Sequence, residues 1–232
     1  MTKYAVGIQV RSNSRRFPGK SLQNIQGIPL IAWVVESCLR ISLPVWVLTS
    51  KEASDDCLAK TSERYGAGVF RGSLTNVFGR YRAFSEKYEF THIMRINGDS
   101  PLISPEIMLE SLKVHSIDCT TDLVTNVFPR TFPKGQSVEI INCLTLQKIP
   151  QEKLSDNNNE HLTSYIYENE SKYRINNFKN TIDMSYVNLC VDSPSDLMRI
   201  EGFLAKNRIT SPSKLPEWAE LSRLIQESRI WS

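Results

Sequence analysis

An α/β fold built on a mostly parallel sheet, with helices covering both faces, is what this sequence predicts. Three observations predict it. An apolar run rich in β-branched residues, Ala5 to Val10, empties into a loop of small and basic residues, as buried strands do at the carboxyl edge of open sheets. From there to about residue 127, strand-like runs alternate with amphipathic runs of helical length. Helix starts are written in capping residues followed by prolines, at Ser104-Pro105 and Ser193-Pro194.

Taken in order, the loop after the first strand gives way to Ile28-Pro29-Leu30. This starts a helix to about Arg40, apolar on most faces and so packed hard on the sheet. Pro44 to Thr49 reads as the second strand. Ser50 or Ser54 caps the next helix, which stops near Tyr65 at Gly66. Gly68-Val69-Phe70 is a short third strand. The helix from about Thr75 to Tyr88 buries Val77, Phe78, Tyr81 and Phe84, at spacings near the helical period. A fourth strand, Phe90 to Ile96, ends in Asn97-Gly98-Asp99-Ser100-Pro101. Another helix starts at Ser104-Pro105-Glu106, and Thr121 to Val127 is strand-like.

The alternation then fails. Between about 129 and 142, Pro133-Lys134-Gly135 makes a turn and Ser137 to Ile141 a strand, which predicts an antiparallel excursion. Residues 151–164 are polar and then helical. Tyr173 to Phe178 and Tyr186 to Val191 are the last predicted strands. Ser193, Pro194 and Asp196 open a helix through about Lys206, with Asp196 as its acidic third position, and a final helix covers about 217–228. We expect residues 1–232 to form one domain, with the excursion extending over about 129–165 and a helical tail over about 212–232.

The chain has 232 residues, of which 41% are hydrophobic and 23% charged, the composition of an ordinary globular protein. A net charge of +3 is too small to argue for nucleic acid or an anionic membrane as partner. The five widely spaced cysteines form no C-x-x-C pair and read as reduced thiols, which gives an expectation of a cytoplasmic protein. No signal peptide is visible, and the longest apolar run, Ile28 to Val35, is far too short to span a bilayer.

The positive charge matters where it clusters. Arg11, Arg15, Arg16 and Lys20 fall within ten residues, among Asn13, Ser14 and Gly19, which let the backbone turn and approach a ligand. At an effective dielectric near 20, one cation about 4 Å from one phosphate charge gains roughly 4 kcal/mol before desolvation, so two or three suit a triphosphate. Neither the P-loop pattern nor the dinucleotide fingerprint is present. A solvated basic loop would carry the same residues.

Asp99 and Asp192 each follow a strand and precede a helix. Read by themselves they fit either turn residues or oxygen ligands for a hard cation over phosphates. Arg71 ends a short strand, either as a surface residue or near a ligand. His161, one of three histidines, fits a hydrogen-bonded structural role or a substrate contact.

Several of these stretches carry one resemblance. Gln9-Val10-Arg11-Ser12-Asn13-Ser14-Arg15-Arg16-Phe17-Pro18-Gly19-Lys20 resembles the Q-A-R-x-x-S-x-R-L-P-G-K signature of the cytidylyltransferases that activate sugar acids, and of the related spore-coat polysaccharide protein F group. Arg95 to Ile103 resembles that family's R-I-T-G-D-C-P-L-I, and Val191-Asp192-Ser193-Pro194-Ser195-Asp196-Leu197 its V-D-T-P-E-D-L. Arg130 to Glu139 is similar to R-T-F-P-D-G-L-D-V-E, and Glu160-His161-Leu162-Thr163 to R-E-H-V-T, both of the spore-coat-like branch. Three departures stand out. Cys190 replaces an acid that some sialic-acid-activating relatives carry, Gln136-Ser137 replaces leucine-aspartate, and Asn159 replaces an arginine.

The resemblance implies a three-layer α/β/α fold of the nucleotide-diphospho-sugar-transferase type. It implies transfer of CMP from CTP to a sugar acid with release of pyrophosphate. In that reading Arg11, Arg16 and Lys20 are catalytic and hold the triphosphate, while Gln9, Ser14, Arg71, Ser73 and Asn97 bind the nucleotide. Arg130, Glu139, Glu160 and His161 face the acceptor, and Asp99 and Asp192 bind Mg2+. Relatives are commonly homodimers, which sets that expectation for residues near 129–165. The rival classes are a glycosyltransferase of similar architecture, against which the chain's lack of any D-x-D motif counts, a non-catalytic nucleotide-binding or scaffold protein, and a nucleotidyltransferase acting on a sugar phosphate or polyol phosphate.

Overall fold

Strand β1 (Tyr4–Gln9) lies inside a seven-stranded sheet, between two parallel neighbours, and the loop that leaves it opens the site. The computed structural model describes residues 2–14 and 16–231; Arg15, one of the four loop cations, lies outside the described residues. In chain order the elements are β1, a small hairpin of β2 (Asn24–Ile25) and β3 (Ile28–Pro29), α1 (Leu30–Leu39), β4 (Val45–Ser50), α2 (Asp56–Arg64), β5 (Gly68–Gly72), α3 (Val77–Tyr88) and β6 (His92–Asn97). There follow α4 (Pro105–Ile117), β7 (Leu123–Thr125), β8 (Glu139–Asn142), α5 (Cys143–Lys148), α6 (Asp156–Glu160), α7 (Ser164–Glu168), β9 (Ile175–Asn177), α8 (Pro194–Lys206) and α9 (Trp218–Glu227).

The sheet order is β5-β4-β1-β6-β8-β7-β9. β1 pairs in parallel with β4 and β6, so the carboxyl ends of three adjacent strands open on one edge. β8 runs antiparallel to both β6 and β7, the predicted excursion, and sets Glu139 opposite Arg95.

Alternation along the strands divides the core in two. Val6 and Ile8, Met94 and Ile96, and Ile140 join α1, α4, α8 and α9 on one face. Ala5, Ile93 and Ile141 join α3, α5 and α7 on the other. On α3, Phe78, Tyr81 and Phe84 are wholly buried, as their spacing predicts. Each face therefore holds a sheet-to-helix core, which makes three layers.

Local expectations mostly hold, with instructive exceptions. Ser104 caps α4, and Ser193 with Asp196 forms a capping box on α8. Asp196 is thereby a helix-start residue. Pro29 is extended and belongs to β3, so α1 begins at Leu30; the turn at Gln26 and Gly27 has positive φ at both residues, the geometry of a tight hairpin. Neither Ser50 nor Ser54 caps α2, since the Ser50 hydroxyl donates instead to Asp55. Thr121 to Val127 narrows to three strand residues, and so does Tyr173 to Phe178.

The strand expected over Tyr186 to Val191 does not join the sheet. Its apolar residues Val187, Leu189 and Val191 are buried, but the backbone pairs with a turn. Lys134 N–H donates to Val187 O and Leu189 N–H to Lys134 O, and Val191 N–H donates to Asp99 O at 2.9 Å. That last bond brings Asp192 beside the end of β6.

Candidate active site

The loop after β1 is held in place before any ligand is considered. Asp55, buried at the start of α2, accepts from Ser12 N at 2.7 Å, from Thr49 Oγ1 at 2.8 Å and from both Ser50 N and Oγ. Burial alone would raise its pKa; the bonds from Ser50, Ser12 and Thr49 outweigh that and hold the carboxyl below its ordinary value. Gly19 N–H donates to Ser12 O, and Gly19 takes a left-handed φ of 72° that lets the loop turn back and bury Lys20. Gly98 meets the same loop from β6. A Cβ there would lie 2.5 Å from Val10 Cβ, so the two strand ends approach as closely as glycine permits.

Lys20 is the centre of the charge pattern. Its ammonium donates to Asp99 Oδ2 at 3.1 Å, to Asp192 Oδ1 at 3.0 Å and to Val191 O at 2.7 Å. Burial works to lower its pKa, and the two carboxylates outweigh burial, so the lysine titrates above its ordinary value and stays charged. Arg16 pairs with the other oxygen of Asp192 at 3.0 Å, and Arg11 with Glu160 at 3.0 Å. Residues separated by some 170 positions thus meet at one point, as a strand-end site requires.

Beside them lies a cleft of about 390 Å³, lined among others by Gln9, Arg11, Ser14, Arg16, Lys20, Asn97 and Asp99. A smaller cavity of about 250 Å³ carries Arg130, Glu139, Ser137 and Tyr167. Asn97 and His161 line both, so the two spaces adjoin. Between the strands beneath them, Arg95 donates to Gln9 Oε1 at 2.9 Å and pairs with Glu139, whose other oxygen accepts from the Tyr167 hydroxyl. Burial lowers the Arg95 pKa and Glu139 more than restores it. Glu139 is 2% exposed and held by one partner on each oxygen, so its geometry is fixed while acceptor capacity remains.

Not every candidate is gathered here. The Arg71 guanidinium is spent on Ser50 O, Glu52 O and Asp56, and Arg71 lines neither cavity. Ser73 likewise lines neither; its carbonyl accepts from Arg80. Arg80 itself, missed in the sequence, lines the larger cleft. It is 2% exposed, donates to the carbonyls of Leu48, Ser73 and Leu74, and has its pKa lowered by burial. An arginine within the apolar stripe of α3 was the available signal. Cys190 has its thiol pushed up to about 12, first by burial and then by Asp99 and Asp192, so it stands neutral behind the carboxylates.

A strand-end loop of cations facing two carboxylates, beside a cleft of this size, suits an enzyme that handles a nucleoside triphosphate. Residues 5–215 match the family model described as cytidylyltransferase, and the chain belongs to that family, which makes it a CTP-dependent nucleotidyltransferase. The chain is 29% identical over 175 residues, 72% of its length and 71% of the relative's, to the spore coat polysaccharide biosynthesis protein SpsF of Bacillus subtilis. It is 28% identical over 142 residues to a 3-deoxy-manno-octulosonate cytidylyltransferase of Bdellovibrio bacteriovorus, covering 59% and 57% of the two chains. Among solved structures, a cytidylyltransferase from Leptospira borgpetersenii superimposes with a TM-score of 0.91 at 26% identity, over 98% of this chain and 95% of that one. A CMP:2-keto-3-deoxy-manno-octonic acid synthetase complexed with CTP has a TM-score of 0.69 at 18% identity, over 89% and 100%, a likeness of fold.

Proposed function

We propose that this chain transfers the CMP group of CTP to a hydroxyl of a sugar acid, releasing pyrophosphate, in the synthesis of a surface polysaccharide or glycoconjugate. The acceptor oxygen attacks the α-phosphorus in line, the bond to the β-phosphate oxygen breaks, and the acceptor hydroxyl loses its proton. The protein's task in such a transfer is positioning and charge neutralisation. Arg11, Arg16 and Lys20 hold the triphosphate and then the leaving pyrophosphate. The observation that carries the reading is the Lys20 ammonium set between Asp99 and Asp192, with Lys20 and Asp99 both lining the cleft.

Those two carboxylates fit Mg2+. Asp99 Oδ2 and Asp192 Oδ1 both contact one ammonium, so the two carboxylates converge on one point, and a small shift would bring them to the roughly 4 Å separation at which two oxygens share a hard divalent ion whose remaining ligands are waters and phosphate oxygens. Among the described residues no group of three or more His, Cys, Asp or Glu converges, so an all-protein cage is not the design. Bound there, the ion would neutralise phosphate charge and lower the pKa of the attacking hydroxyl.

The acceptor belongs in the smaller cavity. Among the described residues, no carboxylate lies within ion-pair distance of Arg130; its guanidinium bonds only to Ser137 Oγ at 3.1 Å and Pro133 O at 3.4 Å. Arginine left with such neutral partners suits the acceptor's carboxylate, while Glu139 and His161 suit its hydroxyls. Among the described residues no helix is long and apolar enough to cross a membrane. A homodimer through residues near 129–165 completes the reading.

The test is CTP-dependent pyrophosphate release with Mg2+ against a panel of ulosonic acids, nonulosonic acids, sugar phosphates and polyol phosphates. Turnover with one of the acids is expected. Turnover confined to the phosphorylated compounds would refute the acceptor class.

A further inference from the structure

Glu160 faces the wrong partner for an acceptor ligand. Its Oε1 lies 3.0 Å from Arg11 Nη2, across 149 positions of sequence, and it lines no part of the smaller cavity that holds Arg130 and Glu139. Arg11 and Glu160 instead line both the cleft of about 390 Å³ and a neighbouring hollow of about 610 Å³, so their ion pair stands in the wall between the two. The other cradle cations are matched in the same way, Arg16 by Asp192 and Lys20 by Asp99 and Asp192. Asp99 and Asp192 keep a use once phosphates arrive, as oxygen ligands for a cation. Glu160 does not.

We propose that Glu160 is an internal counter-ion of the triphosphate cradle, which holds Arg11 until the phosphates of CTP displace it. Three features make it suited to this. The Glu160 side chain is 53% exposed and the Arg11 side chain 36%, so their bond is a weak surface pair that a polyanion outcompetes. Glu160 ends α6, and Asn158 of that helix donates to Ser164 Oγ at 2.9 Å and to Glu168 Oε2 at 3.0 Å. Among the described residues, this pair is the hydrogen bond that ties the segment carrying His161, Thr163 and Tyr167 into the smaller cavity to the phosphate loop. Filling the cradle with nucleotide releases the tether on the acceptor side.

The proposal rests on CTP as the nucleotide, and the test needs no acceptor. Isothermal titration of CTP with Mg2+ into the full chain compares the native protein with Glu160→Gln, Arg11→Gln and the double variant. Removing the competitor is expected to tighten CTP binding by about two- to fivefold, the worth of an exposed pair. Because Glu160 acts through Arg11, the gain should vanish when Glu160→Gln is made in the Arg11→Gln background. An unchanged or weaker affinity in Glu160→Gln, or a gain that persists without Arg11, would overturn the proposal while leaving the cytidylyl reading intact. Failure of the native chain to bind CTP would overturn both. Melting temperatures of the four proteins confirm that each is folded.

Discussion

Replacing Lys20 by methionine separates the two roles that its position implies. Methionine keeps most of the buried stem and removes the charge. Three acceptors lose their donor, two of them carboxylates, of which Asp192 keeps its pair with Arg16. A hydrogen bond to a charged group contributes about 1.5–3 kcal/mol, and partial exposure of Asp99 and Asp192 discounts it, so a total near 3 kcal/mol is expected. For a chain of this length that lowers the melting temperature by about 6–12 °C. The lost contact to a phosphate should weaken CTP by about 10- to 100-fold. The two carboxylates, freed of the ammonium, should bind Mg2+ more tightly, so Mg2+ should raise the melting temperature of the variant more than that of the native chain. Scanning fluorimetry with and without Mg2+, and titration with CTP, read all three effects. Native-like melting together with native-like CTP affinity would refute the assignment of Lys20 as the hub of the site.

Asp55→Ala strands Ser12 N, Ser50 N and two hydroxyls in a buried position; it should cost about 2–4 kcal/mol by urea unfolding and weaken CTP even though Asp55 touches no ligand. Gly98→Ala should drive β6 and the β1 loop apart against Val10 and impair CTP binding more than it lowers stability, as titration and melting would show. Arg130→Ala should raise the KM for a sugar-acid acceptor at least tenfold and leave the CTP affinity unchanged. Stability should also fall with acid. His92 is held neutral down to about pH 4 by burial and then by its neighbour His115, whereas in the unfolded chain it protonates near 6.5. Between those values the unfolded state binds more protons, so stability is full above about pH 6.5 and falls, by up to roughly 3 kcal/mol, as pH drops toward 4. Urea unfolding across that window should show the slope, and His92→Phe should flatten it.

What the sequence made legible was what is local. The loop from Gln9 to Lys20, the strand before it, the cap at Ser104 and the box at Ser193 and Asp196 each have causes that lie within a few residues. Asp99 was legible as a strand-end acid, and Asp192 was singled out too, although the run before it does not join the sheet. What stayed hidden was set by long-range pairing. The opposition of Arg95 and Glu139 depends on the β6–β8 register, which no local pattern reveals. Tyr186 to Val191 has the apolar content of a strand, yet its hydrogen bonds go to Lys134 and Asp99, since β9 takes the place beside β7. Arg71 shows the converse. Its place at the end of β5 suggested a ligand contact, and the neighbouring Ser50, Glu52 and Asp56 absorb its guanidinium instead.

The reversed direction of β8 has a consequence for how such a chain can diversify. Its neighbours β6 and β7 deliver their following loops to the working edge, but β8 arrives there at its beginning, so the segment that helps frame the smaller cavity is the one leading into it, residues 126–138. Length and chemistry can drift in that lead-in while the cradle at the end of β1, five strands' worth of hydrogen bonding and the helices behind it stay as they are. The strand laid down backwards thus sets the cradle at the end of β1 apart from the lead-in that lines the smaller cavity.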